Sequence, residues 1–500
     1  MASDIPSAAG GVSDSSPEEE AEIERALQKE MRTDAPMTSA GCFWRGALAI
    51  LAVMVLICGS GYFGFQTWIS KHTARRNALI KDLRAKGEPL SADDLTRYTA
   101  LPEGTEDLTQ RYSSILKNYV SQNALARSQR EEVLPIVGIK GSGAVPRPGE
   151  PWSEEAIAES YLTKRPWLKE AEDLAEVEGE VSFPRDYRGG IGTYLDEIQY
   201  SRGLARDLQL QFQMRMRAGD RAGAMRSLRA IFMASRALKH EPIMVSHLVR
   251  VAVHNIGAKS AAEMLRDRKA TPQEIASIRG MIENDFHAGV VRALKGERAI
   301  VLISLSDSNF DRLNGLVGAN PDVMAKLPSS ASVADLRPGD TAMLLELLTE
   351  AVQIAEENDF PEIIQQMKIR ENKVKKMQED EQAAMPWNRH ILPGWLTIGA
   401  HQSAAAFAGG PSLGSALNAA LDVEEKLAAL PPGERTKEAE IAAIRAVLPR
   451  DPFTGQPMKF LVDDQGYTIY SVGRNGADDA GSDVDPSDDR GVRVERTLAK

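Results

Sequence analysis

Two groups of side chains in this 500-residue chain have types and spacing that could do chemistry. The first is an oxygen-rich run near the carboxyl end: Asn475, Asp478, Asp479, Asp483 and Asp485. Hard cations take several carboxylate and carbonyl oxygens, so this run is the candidate calcium site. Its spacing is not that of an EF-hand loop, and the competing reading is a solvated acidic tail. The second group is His247, Arg250 and His254, which share one stripe of a helix. Two histidines seven residues apart are two turns, about 10.5 Å, from each other. Ligands for one metal ion on a helix sit three or four residues apart. The pair therefore reads as a polar face between helices, and His240 falls before Pro242, off that helix. Glu297-Arg298 reads as an ion pair tying helices together rather than as an exposed functional pair.

No catalytic constellation accompanies these groups. The chain has no G-x-S-x-G elbow and no H-E-x-x-H pair. The string GIKGSG lacks the Lys-Ser/Thr ending of a phosphate loop. A formal charge of −11 and no basic, aromatic-interleaved patch exclude a nucleic-acid partner. The expectation is a protein that is not an enzyme and has no cofactor besides the calcium candidate.

What must position these groups begins with one apolar element. From Gly46 to Ile69 the chain runs 24 residues without a charge, bracketed by Arg45 and Lys71. Such a helix is about 36 Å long, enough to cross a hydrocarbon core with tilt. Trp44, Tyr62 and Trp68 stand near its ends, where amphipathic rings favour the interface. The two cysteines, Cys42 and Cys58, lie at or inside it, so the body after it has no disulfide. Ser39-Ala40-Gly41-Cys42 is not a lipoprotein box, because the apolar stretch follows the cysteine. Ser60 and Gly64, four apart, allow a homodimer through the span. Lys71, Arg75, Arg76, Lys81, Arg84 and Lys86 follow the span closely, and taken alone the positive-inside rule puts the body in the cytoplasm.

The expected order is a disordered acidic tail (1–44), a transmembrane helix (45–70), membrane-proximal helices (71–133), an α-helical core (134–312), a loop (313–340), C-terminal helices (341–450), a β-hairpin module (451–476) and an acidic tail (477–500). Ser91 with Asp94, and Thr271-Pro272-Gln273-Glu274, are helix-start signals. Between about 193 and 294 four antiparallel helices with short loops predict a bundle or hairpin stack, the fourth running from Pro272 to about Leu294. The charged helix from about 361 to 384 carries a narrow stripe of Ile363, Met367, Val374 and Met377, which would face a partner or remain a solvated surface helix. Ile391–Leu421 has no charge, but its prolines, His401 and many small residues argue for a packed helix, not a second span. Met458–Val462 and Tyr467–Val472 around Asp463–Gly466 read as a hairpin.

The C-terminal string DPFTGQP…DQGYTIYSVGRNGADD resembles the C-terminal hairpin of the type II secretion major pseudopilin. That resemblance implies calcium-binding acids after the second strand. The span lacks the glutamate and the preceding cleavage site of a pilin subunit, so the chain is not one. Over some 400 residues the chain also resembles a group of bacterial signal-anchored helical proteins of unassigned activity. The shared landmarks are Gly87 to Leu95, Pro148 to Pro151, Pro184 to Gly190, Glu241 to Ala252, Leu294 to Arg298 and the DPF-G-P turn. This resemblance implies a body outside the cytoplasmic membrane, against the raw charge count.

The whole reads as a mainly α protein: one transmembrane helix, a large α-helical bundle or hairpin-stack domain, and a small C-terminal β-hairpin module. It is expected at the inner membrane, single-pass, with a cytoplasmic amino terminus and a periplasmic body. The bilayer and envelope proteins are its expected partners. A non-enzymatic envelope scaffold is the first reading. An envelope factor linked to a secretion or pseudopilus-like system is the alternative, and an enzyme with an unrecognised site is the third.

Overall fold

A computed structural model of the chain describes residues 21–22, 25, 39–128, 145–147, 149–193, 195–306, 333–383, 405–482 and 488–495. The chain divides into two compact units, residues 1–68 and 69–500. In the first, the described chain is helical residues 21–22 and 25 and the opening of helix α1 (Ser39–Ala85), which begins inside the expected tail rather than at 45. It has no proline and no charge between Gly46 and Ile69, and it is the one described helix long and apolar enough to cross a membrane. Leu48, Ile50, Leu56 and Phe63 are 61 %, 65 %, 70 % and 76 % exposed, so no described residue covers them. The helix ends where Gly87 takes φ +71° and the Glu88 N–H reaches back to the Leu83 carbonyl, 3.0 Å away. Glycine carries that left-handed stop without strain, and Pro89 prevents continuation.

The described helices of the second unit precede its last fifty residues. Helices α2 (Ala92–Tyr98), α3 (Thr109–Ser128), α4 (Glu155–Thr163) and α5 (Trp167–Ala175) lead to a 3₁₀ turn at Tyr187–Gly192. Then come α6 (Asp196–Arg217), α7 (Arg221–Arg236), α8 (Met244–Leu265), α9 (Pro272–Met281) and α10 (Phe286–Ser304). Both expected caps form: Ser91 with Asp94, and Thr271 with Glu274, are reciprocal capping boxes. Beyond them lie α11 (Val333–Glu357), α12 (Phe360–Ala383), α13 (Gly409–Ala428) and α14 (Lys437–Val447).

Helix α8 is the hub. It packs on α6, α7, α10, α13 and the last strand, and its residues enter three apolar clusters. A helix buried on every side needs apolar residues all round, which Val249, Val251, Val253, Ala258, Ala261 and Met264 supply. The small residues of α13 let it lie close: an added Cβ would stand 3.1 Å from the Phe286 ring at Gly410 and 3.3 Å from the His254 ring at Gly414.

The expected hairpin forms, with β1 (Lys459–Val462) antiparallel to β2 (Gly466–Ser471). The chain then adds β3 (Arg490–Glu495) antiparallel to β2, giving the order β1-β2-β3. Four expectations for the second unit are corrected here. The acidic tail holds a strand, because Val492 and Val494 alternate inward against α13. The stretch 333–340, expected as loop, is the first two turns of α11. The helix expected from Pro272 to Leu294 is two helices, broken at 282–285, where Ile282 turns extended (ψ 123°). The stripe Ile363, Met367 and Val374 of α12 is buried. Ile363 and Met367 share a cluster with Ala351, Val352 and Ala355 of α11, so they face this chain rather than a partner. Met377 lies outside the described side chains.

Candidate functional site

The stripe His247, Arg250, His254 lies inside the body, where α8 faces the elbow between α9 and α10. The Arg250 side chain is 1 % exposed and the Glu283 side chain 5 %. Arg250 Nε donates to Glu283 Oε2 at 2.9 Å, and its Nη2 reaches both Glu283 and Asp285. The guanidinium also sits 5.0 Å over the Phe286 ring. Burial opposes charge on Arg250, but the two carboxylates outweigh it and hold the guanidinium above its ordinary range. The break at 282–285 is where Glu283 and Asp285 meet Arg250. The His254 ring centroid lies 4.8 Å from that of Phe286 and 5.4 Å from that of Phe232. The His247 centroid lies 5.4 Å from that of Phe407. Burial, with Arg250 adding to it, pushes His247 down to about 3. Burial, with Arg250 adding and Glu283 opposing, pushes His254 down to about 4. Both rings are neutral near pH 7, as a polar face between helices requires. The cluster fastens three helices together, and it meets solvent at Asp285, whose side chain is 40 % exposed.

A second assembly gathers residues far apart in sequence. Glu88, just past α1, accepts from Lys295 Nζ at 2.8 Å and from Arg298 Nη2 at 2.7 Å. Glu356 of α11 completes the set, 2.7 Å from Lys295. Arg298 thus does tie elements together, but through Glu88; Glu297 instead accepts the Met244 N–H at 3.4 Å. Nearby, Arg185 donates to Glu241 at 2.9 Å and to Glu197 at 3.1 Å. Gly296 packs so closely that a Cβ would stand 1.7 Å from the Pro242 carbonyl oxygen. Four landmarks of the signal-anchored group therefore meet in one junction: Gly87 to Leu95, Pro184 to Gly190, Glu241 to Ala252 and Leu294 to Arg298. A backbone clash cannot be relieved by a side-chain rotation. Gly296→Ala is expected to cost about 2–3 kcal/mol of stability, read as a lower urea midpoint, whereas Gly280→Ala, with open space around it, is expected to be neutral.

A cleft of about 320 Å³ opens on this junction, lined by Asp93, Thr96, Arg185, Asp186, Tyr187 and Arg188. Its charges answer one another: Arg188 lies 3.7 Å from Asp93 across the mouth, and buried Arg185 is held by Glu241 and Glu197.

The candidate calcium residues fall on the loop between β2 and β3. Asn475 Nδ2 donates to Asp479 at 3.0 Å, and Asp478 accepts from the Tyr470 hydroxyl at 2.7 Å. Asp483 and Asp485 lie outside the described residues. Sequence reasoning passed over the organiser of this loop, Asp489. It is buried, and its Oδ2 accepts the Asp479 and Gly481 N–H groups at 2.9 and 2.8 Å. Its Oδ1 has no hydrogen-bond partner among the described residues. Burial first, and then the charges of Asp479 and Asp478, raise the Asp489 carboxyl above its ordinary range. Among the described residues no three His, Cys, Asp or Glu side chains converge as metal ligands. Asp478 and Asp479 are engaged within the loop. Calcium binding here predicts that millimolar calcium slows proteolysis of the loop; equal cleavage with calcium and with chelator rejects it.

Compared with family models, curated proteins and solved structures, the chain matches none.

Proposed function

We propose that the chain is a single-pass membrane protein whose acidic tail lies in the cytoplasm and whose helical body lies outside the cytoplasmic membrane. There it acts as a non-enzymatic envelope scaffold. The supporting observation is the run of exposed apolar side chains from Leu48 to Phe63 on the uncharged segment of α1, which a lipid phase or another span would cover. Protease added to intact spheroplasts tests the orientation. Digestion of the body while residues 1–44 stay protected supports it, and the reverse pattern overturns it.

The alternative, a factor linked to a secretion or pseudopilus-like system, is favoured by one feature of the C-terminal module. Asp451 of the DPF turn accepts from Ser471 Oγ at 2.9 Å and from the Val472 N–H at 3.0 Å. The turn and the S-x-G segment of the pseudopilin-like string thus form one unit. Against free incorporation into a filament, Tyr467, Ile469, Val492 and Val494 are buried in the helical core. Cross-linking in cells separates the readings: pseudopilus subunits attached to the module favour the second. An enzymatic reading would have its place at the junction cleft, where substitution of Asp186 or Arg188 would abolish an activity.

A further inference from the structure

The loop between β2 and β3 carries an Asn-Gly pair, Asn475-Gly476. Asn475, Gly476 and Ala477 are all exposed. The Asn475 amide is held at both ends: Nδ2 donates to Asp479 Oδ2 at 3.0 Å, and Oδ1 accepts the Ala477 N–H at 2.8 Å. The backbone that carries it is anchored as well. Asp488 Oδ2 accepts the Arg474 N–H at 2.9 Å, and its Oδ1 accepts the Asn475 N–H at 3.4 Å. The Gly476 N–H, by contrast, has no hydrogen-bond partner among the described residues. Gly476 takes φ +67°, and open space stands where a Cβ would be. A side chain there would strain the backbone and shield the nitrogen, and glycine does neither. Asn118 and Asn255 are placed differently. They stand inside α3 and α8, where the N–H of the next residue belongs to the helix ladder.

We infer that Asn475-Gly476 is a site of spontaneous covalent modification, at which the chain converts its own asparagine through a cyclic imide into isoaspartate and aspartate. The Gly476 nitrogen attacks Asn475 Cγ. The new N–Cγ bond forms, the Cγ–Nδ2 bond breaks, and Nδ2 leaves as ammonia with the proton that the Gly476 nitrogen gives up. Water then opens the ring. Attack at Cγ yields aspartate; attack at the main-chain carbonyl yields isoaspartate, whose main chain is one carbon longer. The Ala477 N–H sits on the oxygen that gains charge as the nitrogen adds, which is where a donor stabilises an oxyanion. Either product loses the Nδ2 donor and sets a carboxylate against Asp479, in a loop that already holds Asp478 and Asp488. Like charges repel at that distance, so the conversion loosens the loop with time and in one direction only. The inference goes beyond the membrane-anchored reading and does not depend on it.

The test uses the full chain in nonionic detergent, aged at neutral pH in heavy-oxygen water, digested, and its peptides weighed. Residue 475 is expected to show the mass of an amide-to-acid exchange with one heavy oxygen, and isoaspartate in excess over aspartate, while Asn118 and Asn255 keep their amides. A free peptide covering residues 470–482 sets the rate of the unconstrained pair. The native loop is expected to convert within about threefold of that peptide, or faster. Slower conversion overturns the inference, because the two hydrogen bonds would then hold Cγ away from the Gly476 nitrogen. The product is tested by Asn475→Asp. That variant is expected to be cleaved in the β2–β3 loop about threefold faster than fresh wild type at low salt. Equal cleavage of the two overturns the loosening.

Discussion

Replacing Glu283 by alanine is expected to lower the unfolding free energy by about 3–5 kcal/mol, among the largest losses any single substitution in the body can give. The reason is the fate of Arg250. Its guanidinium is 1 % exposed, and without Glu283 it keeps only Asp285, which is 40 % exposed. A buried charge stripped of its partner costs far more than the intact pair contributes. Since a domain is stable by only about 5–15 kcal/mol in all, the variant would sit near the threshold of folding. The double variant Arg250→Met, Glu283→Leu removes both charges and leaves apolar bulk, so it is expected to recover most of the loss. Urea unfolding followed by circular dichroism in detergent reads all three proteins. A Glu283→Ala midpoint equal to that of the wild type would show that the elbow is not held by this pair.

Acid is expected to weaken the body through His247 and His254. Burial lowers both below the usual 6.5, to about 3 and about 4. Between those values and 6.5 the unfolded chain binds protons that the folded chain refuses. Stability from this source is complete above about pH 6.5 and declines as the pH falls. At pH 4.5 the loss is about 2–3 kcal/mol per histidine. The groups facing the rings carry charge of both signs: Arg250 disfavours protonation, while Glu283 and Asp285 favour it. Asp207 works in the opposite sense. Burial raises it to about 6, so its contribution is present in acid and fades as the pH rises through 6. The histidine share is isolated by comparing melting temperatures at pH 7 and pH 4.5 for the wild type and for His247→Phe, His254→Phe. The variant is expected to lose markedly less on acidification. Parallel losses would mean that the rings are not neutral in the folded state.

The elements with local signals were legible in the sequence. The apolar run, the capping boxes at Ser91 and Thr271, the glycine stop at Gly87 and the hairpin around Asp463–Gly466 all announce themselves within a few residues. What escaped depends on partners far away. Glu283-Asn284-Asp285 reads as an ordinary polar turn of a helix, and its partner Arg250 lies 33 residues earlier. β3 carried a readable alternation at Gly491-Val492-Arg493-Val494, but the preceding acids dominated the reading. The stripe on α12 was visible as a stripe, yet nothing local says that α11 covers it. Of the candidate site, the seven-residue spacing of His247 and His254 places both rings between helices, where they pack on Phe232, Phe286 and Phe407. Asp489 was passed over because its role comes from burial, which no local pattern encodes. The junction was present as ordered landmarks, and their meeting is a tertiary fact.

The proposed anchoring is tested most directly by fractionating cells that express the full chain and determining the mass of the recovered protein. The account predicts that it stays with the membrane pellet through high salt and alkaline carbonate, enters solution only with nonionic detergent, and carries the Gly46–Ile69 segment intact. Recovery in the detergent-free supernatant, whether as the whole chain or as a body from which that segment has been cleaved, would contradict it.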